Sequence, residues 1–165
     1  MTKPKNARVD VIIKQMNISI NSEQEMINFG LKLGRLLKGG EIIELIGDVG
    51  SGKTTLVKGL AKGLGINNII QSPSFTISRL YRSNNIDLIH YDFYRLNDAG
   101  IMLDEIKESS TNSDNIIVIE WGEAVDSVLP KDRVNIRITT IDENKRLVEV
   151  KPFGPNSKLL VNKII

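Results

Sequence analysis

The sequence predicts one three-layer α/β domain, a mixed parallel and antiparallel sheet flanked by helices. Two features of the chain predict it. Short apolar, β-branched runs alternate with stretches whose apolar residues recur at helical spacing, and two pairs of the later runs are joined by turns too short for a crossover. At 165 residues the chain has the length of one ordinary domain. We divide it into a basic leader with a possible first strand over 1–19, one domain over 20–154 and a C-terminal tail over 155–165.

Ser22-Glu23-Gln24-Glu25 has the Ser-x-x-Glu pattern in which a hydroxyl and a carboxylate satisfy the free amides of a helix start. Met26, Phe29, Leu33, Leu36 and Leu37 follow at helical spacing, so a helix is expected up to Gly39-Gly40. Residues 41–46, Glu-Ile-Ile-Glu-Leu-Ile, read as a strand buried within a sheet. From Lys53 to Leu64 one apolar face forms from Leu56, Val57, Leu60, Ala61 and Leu64, and Gly65 stands where a left-handed cap belongs. Residues 76–81 and 86–93 read as a hairpin around Ser83-Asn84-Asn85. A short helix is expected over 101–107, a loop over 109–115 and a buried strand over 116–120. Residues 133–140 and 146–151 alternate in period two around Asp142-Glu143-Asn144, as a second hairpin would.

Composition narrows the functional classes. Hydrophobic residues make up 41% of the chain beside 13 Gly, the balance of an ordinary folded domain. The chain has no cysteine, which excludes disulfides and thiolate metal sites and is compatible with a reducing cytoplasm. No stretch approaches the ~18 apolar residues needed to span a bilayer, and charges stand where a secretion signal needs an apolar block. A cytoplasmic location without membrane contact is expected. The net charge is +2, and the leader carries Lys3, Lys5, Arg8 and Lys14 against Asp10, which leaves the body nearly neutral. Charge alone does not imply a nucleic-acid partner.

The chemistry concentrates in Gly47-Asp48-Val49-Gly50-Ser51-Gly52-Lys53-Thr54, set between the predicted strand at 41–46 and the helix that follows. A triphosphate must leave water without losing its hydrogen bonds. Gly47, Gly50 and Gly52 lack a Cβ, so the backbone can turn successive amides inward as an anion nest. The helix from Lys53 points its free amides and positive dipole end at the same anion. Lys53 can reach the β- and γ-phosphates, and Thr54 offers a hydroxyl to Mg2+. This is a P-loop NTPase-like arrangement. The Asn-Lys-x-Asp element that reads guanine does not occur, which favours ATP.

Mg2+ takes one or two protein ligands beside phosphate oxygens and water, so carboxylates at strand ends are the next candidates. Asp92 ends one predicted strand and Glu120 another, where ligands of α/β folds collect. Either can hold the metal or its water, or orient an attacking water. His90, the single histidine, shares a strand face with Asp92 and reads as a hydrogen-bonded structural imidazole. Arg79, Arg82 and Arg95 read as phosphate clamps, or equally as solvent-exposed or structural ion-pair residues, and Trp121 as packing near the site.

Several separate blocks resemble the TsaE (YjeE) family of small bacterial ATPases required for threonylcarbamoyladenosine modification of tRNA. Residues 47–56 resemble its GDLGAGKTT segment, Ser72-Pro73-Ser74-Phe75-Thr76 its SPTFT loop, and residues 90–96 its HxDLYRL block. Ile119-Glu120-Trp121 matches the IEW block and Leu129-Pro130 the Leu-Pro after it. The resemblance covers roughly residues 20 to 150. It implies that Thr54 and Glu120 bind Mg2+, that Asp92 lies close by and matters for turnover, and that Gly50, Ser51, Gly52, Lys53, Thr54 and Thr55 contact phosphate. It also implies that Glu23 approaches the adenine and that Asn144 lies on a hairpin turn near the same base. The implied partners are TsaD and TsaB, with tRNA contacted indirectly. Ser74 departs from the family's usual threonine, and the glutamate-rich stretch after the HxDLYRL block is thin here. Three functions share these features: a regulatory ATPase, a small-molecule or nucleoside kinase with Asp92 as base, and a nucleotide-dependent binding switch.

Overall fold

The computed structural model describes residues 15–164 except Asn97 and Ala99, so the basic residues of the leader lie outside the described residues. The elements in chain order are β1 (Met16–Ile20), α1 (Glu23–Leu36), β2 (Ile42–Ile46), α2 (Lys53–Gly63), β3 (Ser78–Arg82), β4 (Asp87–Asp92), α3 (Gly100–Thr111), β5 (Asn115–Glu120), β6 (Val134–Thr140), β7 (Arg146–Pro152) and α4 (Pro155–Ile164). The strands form one sheet of seven in the order β1-β7-β6-β2-β5-β4-β3. β6, β2, β5 and β4 run parallel, while β3, β7 and β1 pair antiparallel at the flanks. The fold is the expected α/β architecture with a mixed sheet.

The central strands are apolar because both of their faces are covered. Ile43, Leu45, Ile116 and Val118 point into a core shared with α1, α2 and α4, and Ile42, Ile117 and Ile119 into a second core with α3. The predicted start of α1 holds: the Ser22 hydroxyl accepts from the Glu25 amide, and the Glu25 carboxylate accepts from the Asn21 amide. Against the sheet, α1 and α2 lie backbone to backbone. A Cβ on Gly30 or Gly34 would run into the carbonyls of Leu56 or Leu60, and one on Gly59 or Gly63 into those of Ile27 or Leu31.

Several boundaries differ from the sequence expectation, each for a local reason. α1 ends at Leu36, before Gly39-Gly40, because the Glu41 carboxylate takes the Lys38 and Gly39 amides into a turn. β3 starts at Ser78, since Ile77 takes a left-handed φ of 68° after the Pro73 turn. The expected loop at 109–115 is shorter, because the Ser110 and Thr111 hydroxyls bond back to the Lys107 and Glu108 carbonyls inside α3. Tyr91 ties α3 to the sheet through its hydroxyl, which donates to Glu105 and meets Ser109; burial pushes that hydroxyl up to about 12, so it stays a donor.

Residues 155–164, read from sequence as a tail, form α4 and bury Leu160, Val161 and Ile164 in the first core. Its signal is non-local. Both oxygens of Asp132 accept the first free amides of the helix, those of Asn156 and Ser157, and Pro155 starts the helix where a missing N–H costs nothing.

Candidate nucleotide-binding and hydrolysis site

β2, β4 and β5 run parallel, so their C-terminal ends meet at one edge of the sheet, where the connection from β2 to α2 turns back. In the turn, Gly50 and Gly52 adopt φ of 78° and 112°, which side chains rarely tolerate. Gly47 lies behind the loop; a Cβ there would stand 2.6 Å from both the Ile138 carbonyl and the Ser51 hydroxyl. Gly52 caps α2 without any side-chain bond, so the first amides of the helix are left open toward the loop. The Ser51 hydroxyl is buried without a partner among the described residues. These features fit a polyphosphate: the loop has the space, the donors and the positive helix end that such an anion needs.

Two cavities open on either side of Gly50, Gly52 and Thr55. The first, of about 370 Å³, is lined by Ile20, Ser22, Glu23, Met26, Ser51, Glu143, Asn144 and Arg146 beside those shared residues. The second, of about 450 Å³, is lined by Lys53, Thr54, Asp92 and Glu120 together with Ser72, Ser74, Phe75, Tyr94, Arg95 and Trp121. The structure therefore gathers Glu23 and Asn144 at one end of the loop, and Lys53, Thr54, Asp92 and Glu120 at the other. Of the three arginines read as phosphate clamps or ion pairs, Arg95 lines the second cavity; Arg79 and Arg82 lie on β3 and line neither.

Of the charged groups of the second cavity, Lys53, Asp92 and Glu120 are buried and held by the chain's own groups, while Arg95 is exposed. Asp92 and Glu120 are direct neighbours across β4 and β5. Glu120 accepts a hydrogen bond from His90 Nε2 at 2.8 Å on one oxygen, and its other oxygen stands 4.0 Å from the Lys53 ammonium. His90 is fully buried, which gives the expected structural imidazole a specific duty: it fixes the Glu120 carboxylate. Lys53 donates to the carbonyls of Gly47 and Asp48 at 2.7 and 2.9 Å, bonds that a phosphate oxygen can replace. Asp92 accepts from the Ser72 and Ser74 hydroxyls on one oxygen and from the Tyr94 amide on the other, which fastens residues 72–74 to the sheet. Trp121, at a left-handed φ of 57°, sets its ring 5.3 Å from the Lys53 ammonium and 5.0 Å from the Tyr94 ring.

No group of three or more His, Asp or Glu that could hold a metal by itself occurs among the described residues. A divalent ion here would be shared between Thr54, a carboxylate and the oxygens of a bound phosphate, the arrangement Mg2+ favours. Sequence reasoning missed Arg146, which neither belongs to a motif nor stands at a distinctive spacing; it placed Ser72 in the SPTFT-like loop but not its long-range bond to Asp92.

With that geometry established, comparison with known proteins decides the family. The family model described as "Threonylcarbamoyl adenosine biosynthesis protein TsaE" matches residues 20–148. This chain belongs to the TsaE family. A Nostoc relative named "tRNA threonylcarbamoyladenosine biosynthesis protein TsaE" is 39% identical over 146 residues, 86% of this chain and 90% of that one. A Bacillus subtilis TsaE of the same name is 33% identical over 129 residues, 77% of this chain and 79% of its own. The crystal structure of Bacillus subtilis YdiB superposes with a TM-score of 0.77 at 26% identity and covers 93% of this chain and 95% of that one. The TsaE family match takes in the phosphate loop, both carboxylates and the β6–β7 turn. No helix among the described residues is long and apolar enough to cross a membrane.

Proposed function

We propose that this chain binds Mg-ATP and hydrolyses it slowly, in the cytoplasm and together with TsaD and TsaB, in the pathway that places threonylcarbamoyladenosine in tRNA. One observation carries the hydrolytic reading: Lys53, Glu120 and Asp92 converge, buried, on the open N-terminus of α2. The nucleotide lies with its phosphates on residues 50–55 and its base toward Glu23 and Asn144. Lys53 exchanges the Gly47 and Asp48 carbonyls for phosphate oxygens and offsets charge that builds up during transfer. Thr54 and Glu120, with Asp92 close by, would hold a magnesium ion, which would neutralise phosphate charge and polarise the transferred group.

Glu120, kept in orientation by His90, or Asp92 places a water in line with the γ-phosphate. Asp92 accepts from the Ser72 and Ser74 hydroxyls and the Tyr94 amide, so it reaches a water, or an acceptor hydroxyl in a kinase, only by releasing one of them. The relatives' names support the tRNA pathway and its other Tsa proteins as partners, and the near-neutral body supports a tRNA contact made through them.

The test is ATP hydrolysis by the purified chain with and without TsaD and TsaB, beside Lys53→Ala. The expected result is slow turnover alone, faster turnover with the partners, and a loss of about 100-fold or more in the variant. Efficient phosphate transfer to an added nucleoside, or full activity in Lys53→Ala, would overturn the proposal.

A further inference from the structure

Arg146 opens β7 and lies opposite Ile20 of β1 and Thr140 of β6 in the sheet register. Its guanidinium joins two parts of the chain that are far apart in sequence. Nε donates to the Ser51 carbonyl in the phosphate loop at 3.0 Å. Nη1 gathers the carbonyls of Asp142, Glu143 and Lys145 at 2.7, 3.2 and 3.1 Å. The β6–β7 turn it grips is otherwise exposed and closed only on itself, by the Asp142 carboxylate accepting the Asn144 and Lys145 amides and by the Lys145 carbonyl accepting the Ile141 and Asp142 amides. Nη2 makes no hydrogen bond to the protein among the described residues, and Arg146 is the only cation among them that lines the first cavity, beside the carboxylates of Glu23 and Glu143.

We propose that Arg146 builds the base-side wall of the nucleotide site by clamping the β6–β7 turn onto the phosphate loop, so that recognition of the nucleoside, and not of the phosphates, depends on it. The inference rests on the reading of the loop as a nucleotide site. Without the clamp, the turn that carries Glu143 and Asn144 has no side-chain tie to the loop, and the cavity loses that wall. The phosphate loop keeps its own supports: the Ser51 amide on the Asp48 carbonyl, the Leu56 amide on the Gly52 carbonyl at the start of α2, and the glycine conformations. Nη2 is the donor left for a ring nitrogen or a ribose oxygen. A lysine cannot substitute, because one ammonium cannot span Ser51 and the turn as a planar guanidinium does.

The experiment measures binding of ATP and of inorganic triphosphate to the full chain by calorimetry, in wild type, Arg146→Ala and Arg146→Lys, with thermal melting as a check on folding. Both variants are expected to lose about tenfold or more in ATP affinity, as the removal of charge-assisted hydrogen bonds implies. Triphosphate affinity is expected to stay within about twofold, because the loop amides that face the phosphates are held by the supports just named and not by the guanidinium. An equal loss for both ligands would make Arg146 a support of the phosphate loop and overturn the proposal, as would unchanged ATP affinity. Should Arg146→Ala fail to fold, Arg146→Lys decides alone, since it keeps the stem and the charge. Wild-type protein that binds neither ligand would instead overturn the nucleotide reading itself, a result distinct from any outcome for Arg146.

Discussion

At the end of the sheet where the parallel strands begin, Glu41 and Asp132 spend their carboxylate oxygens on backbone amides, those of Lys38, Gly39, Asn156 and Ser157. Where those strands finish, Asp92 and Glu120 spend theirs mostly on side chains, those of Ser72, Ser74 and His90. The residue types are the same, but what the chain can do with them differs. A carboxylate that caps the first amides of a helix cannot release them without loosening the helix end, so Asp132 is committed to the fold. A hydroxyl or an ammonium can rotate away, so the carboxylates at this end are held in place yet remain exchangeable. A cavity of about 440 Å³ also opens beside Glu41 and Asp132. Space and carboxylates occur at both ends of the sheet, and the kind of donor is what separates a cap from a site.

The largest effect that tests this contrast is expected from Glu120→Gln, which keeps the shape and the His90 contact but removes the charge. ATP hydrolysis should fall by about 100-fold or more while the melting temperature moves little. An active variant would remove Glu120 from the chemistry. A smaller effect is expected from Ser74→Ala, which takes one of the two hydroxyls from Asp92 and loosens residues 72–74. Loss of a hydrogen bond to a carboxylate predicts turnover reduced by about tenfold at nearly unchanged ATP affinity. A drop in affinity without one in turnover would mean that the loop shapes the binding cavity rather than the reacting end.

The upper end is the legible one. Its residues lie in short local patterns: the glycine loop between a strand and a helix, and Asp92 and Glu120 each closing an apolar run. Parallel pairing then makes those strand ends converge. What stays hidden depends on groups that every residue carries, or on partners distant in sequence. Arg146 binds four carbonyls, and carbonyls have no sequence signature. The α4 cap comes from Asp132, on a separate segment before β6, so residues 155–164 read as a tail from sequence alone. The close approach of α1 and α2 rests on Gly30, Gly34, Gly59 and Gly63; apolar periodicity finds the leucines on those faces but does not register an absent side chain. α3 outruns its expected end because a Ser-Thr run can satisfy itself inside a helix as well as in a loop.

The smallest effect belongs to the lower end, and pH gives it a sign. Asp132→Asn should leave ATP hydrolysis unchanged and lower stability at neutral pH by about 1 kcal/mol, because one of the two accepting oxygens becomes an NH2 that faces a helix amide and the charge is lost. Partial burial pushes the Asp132 carboxyl up, but the amides and side chains of Ser157 and Asn156 outweigh it and hold its folded-state pKa below the ordinary 3.8. The folded state therefore favours the charged form. Its contribution is complete above pH 3.8 and is lost as the pH falls through the depressed value. Urea unfolding of both proteins from pH 7 into the acid range should show their midpoints converging below about pH 4. A gap that stayed constant would mean that Asp132 caps α4 by shape and hydrogen bonding alone, with no contribution from its charge. Gly154 sharpens the point, because a Cβ there would collide with the Asp132 carboxyl group, so the cap can form only while that position stays bare.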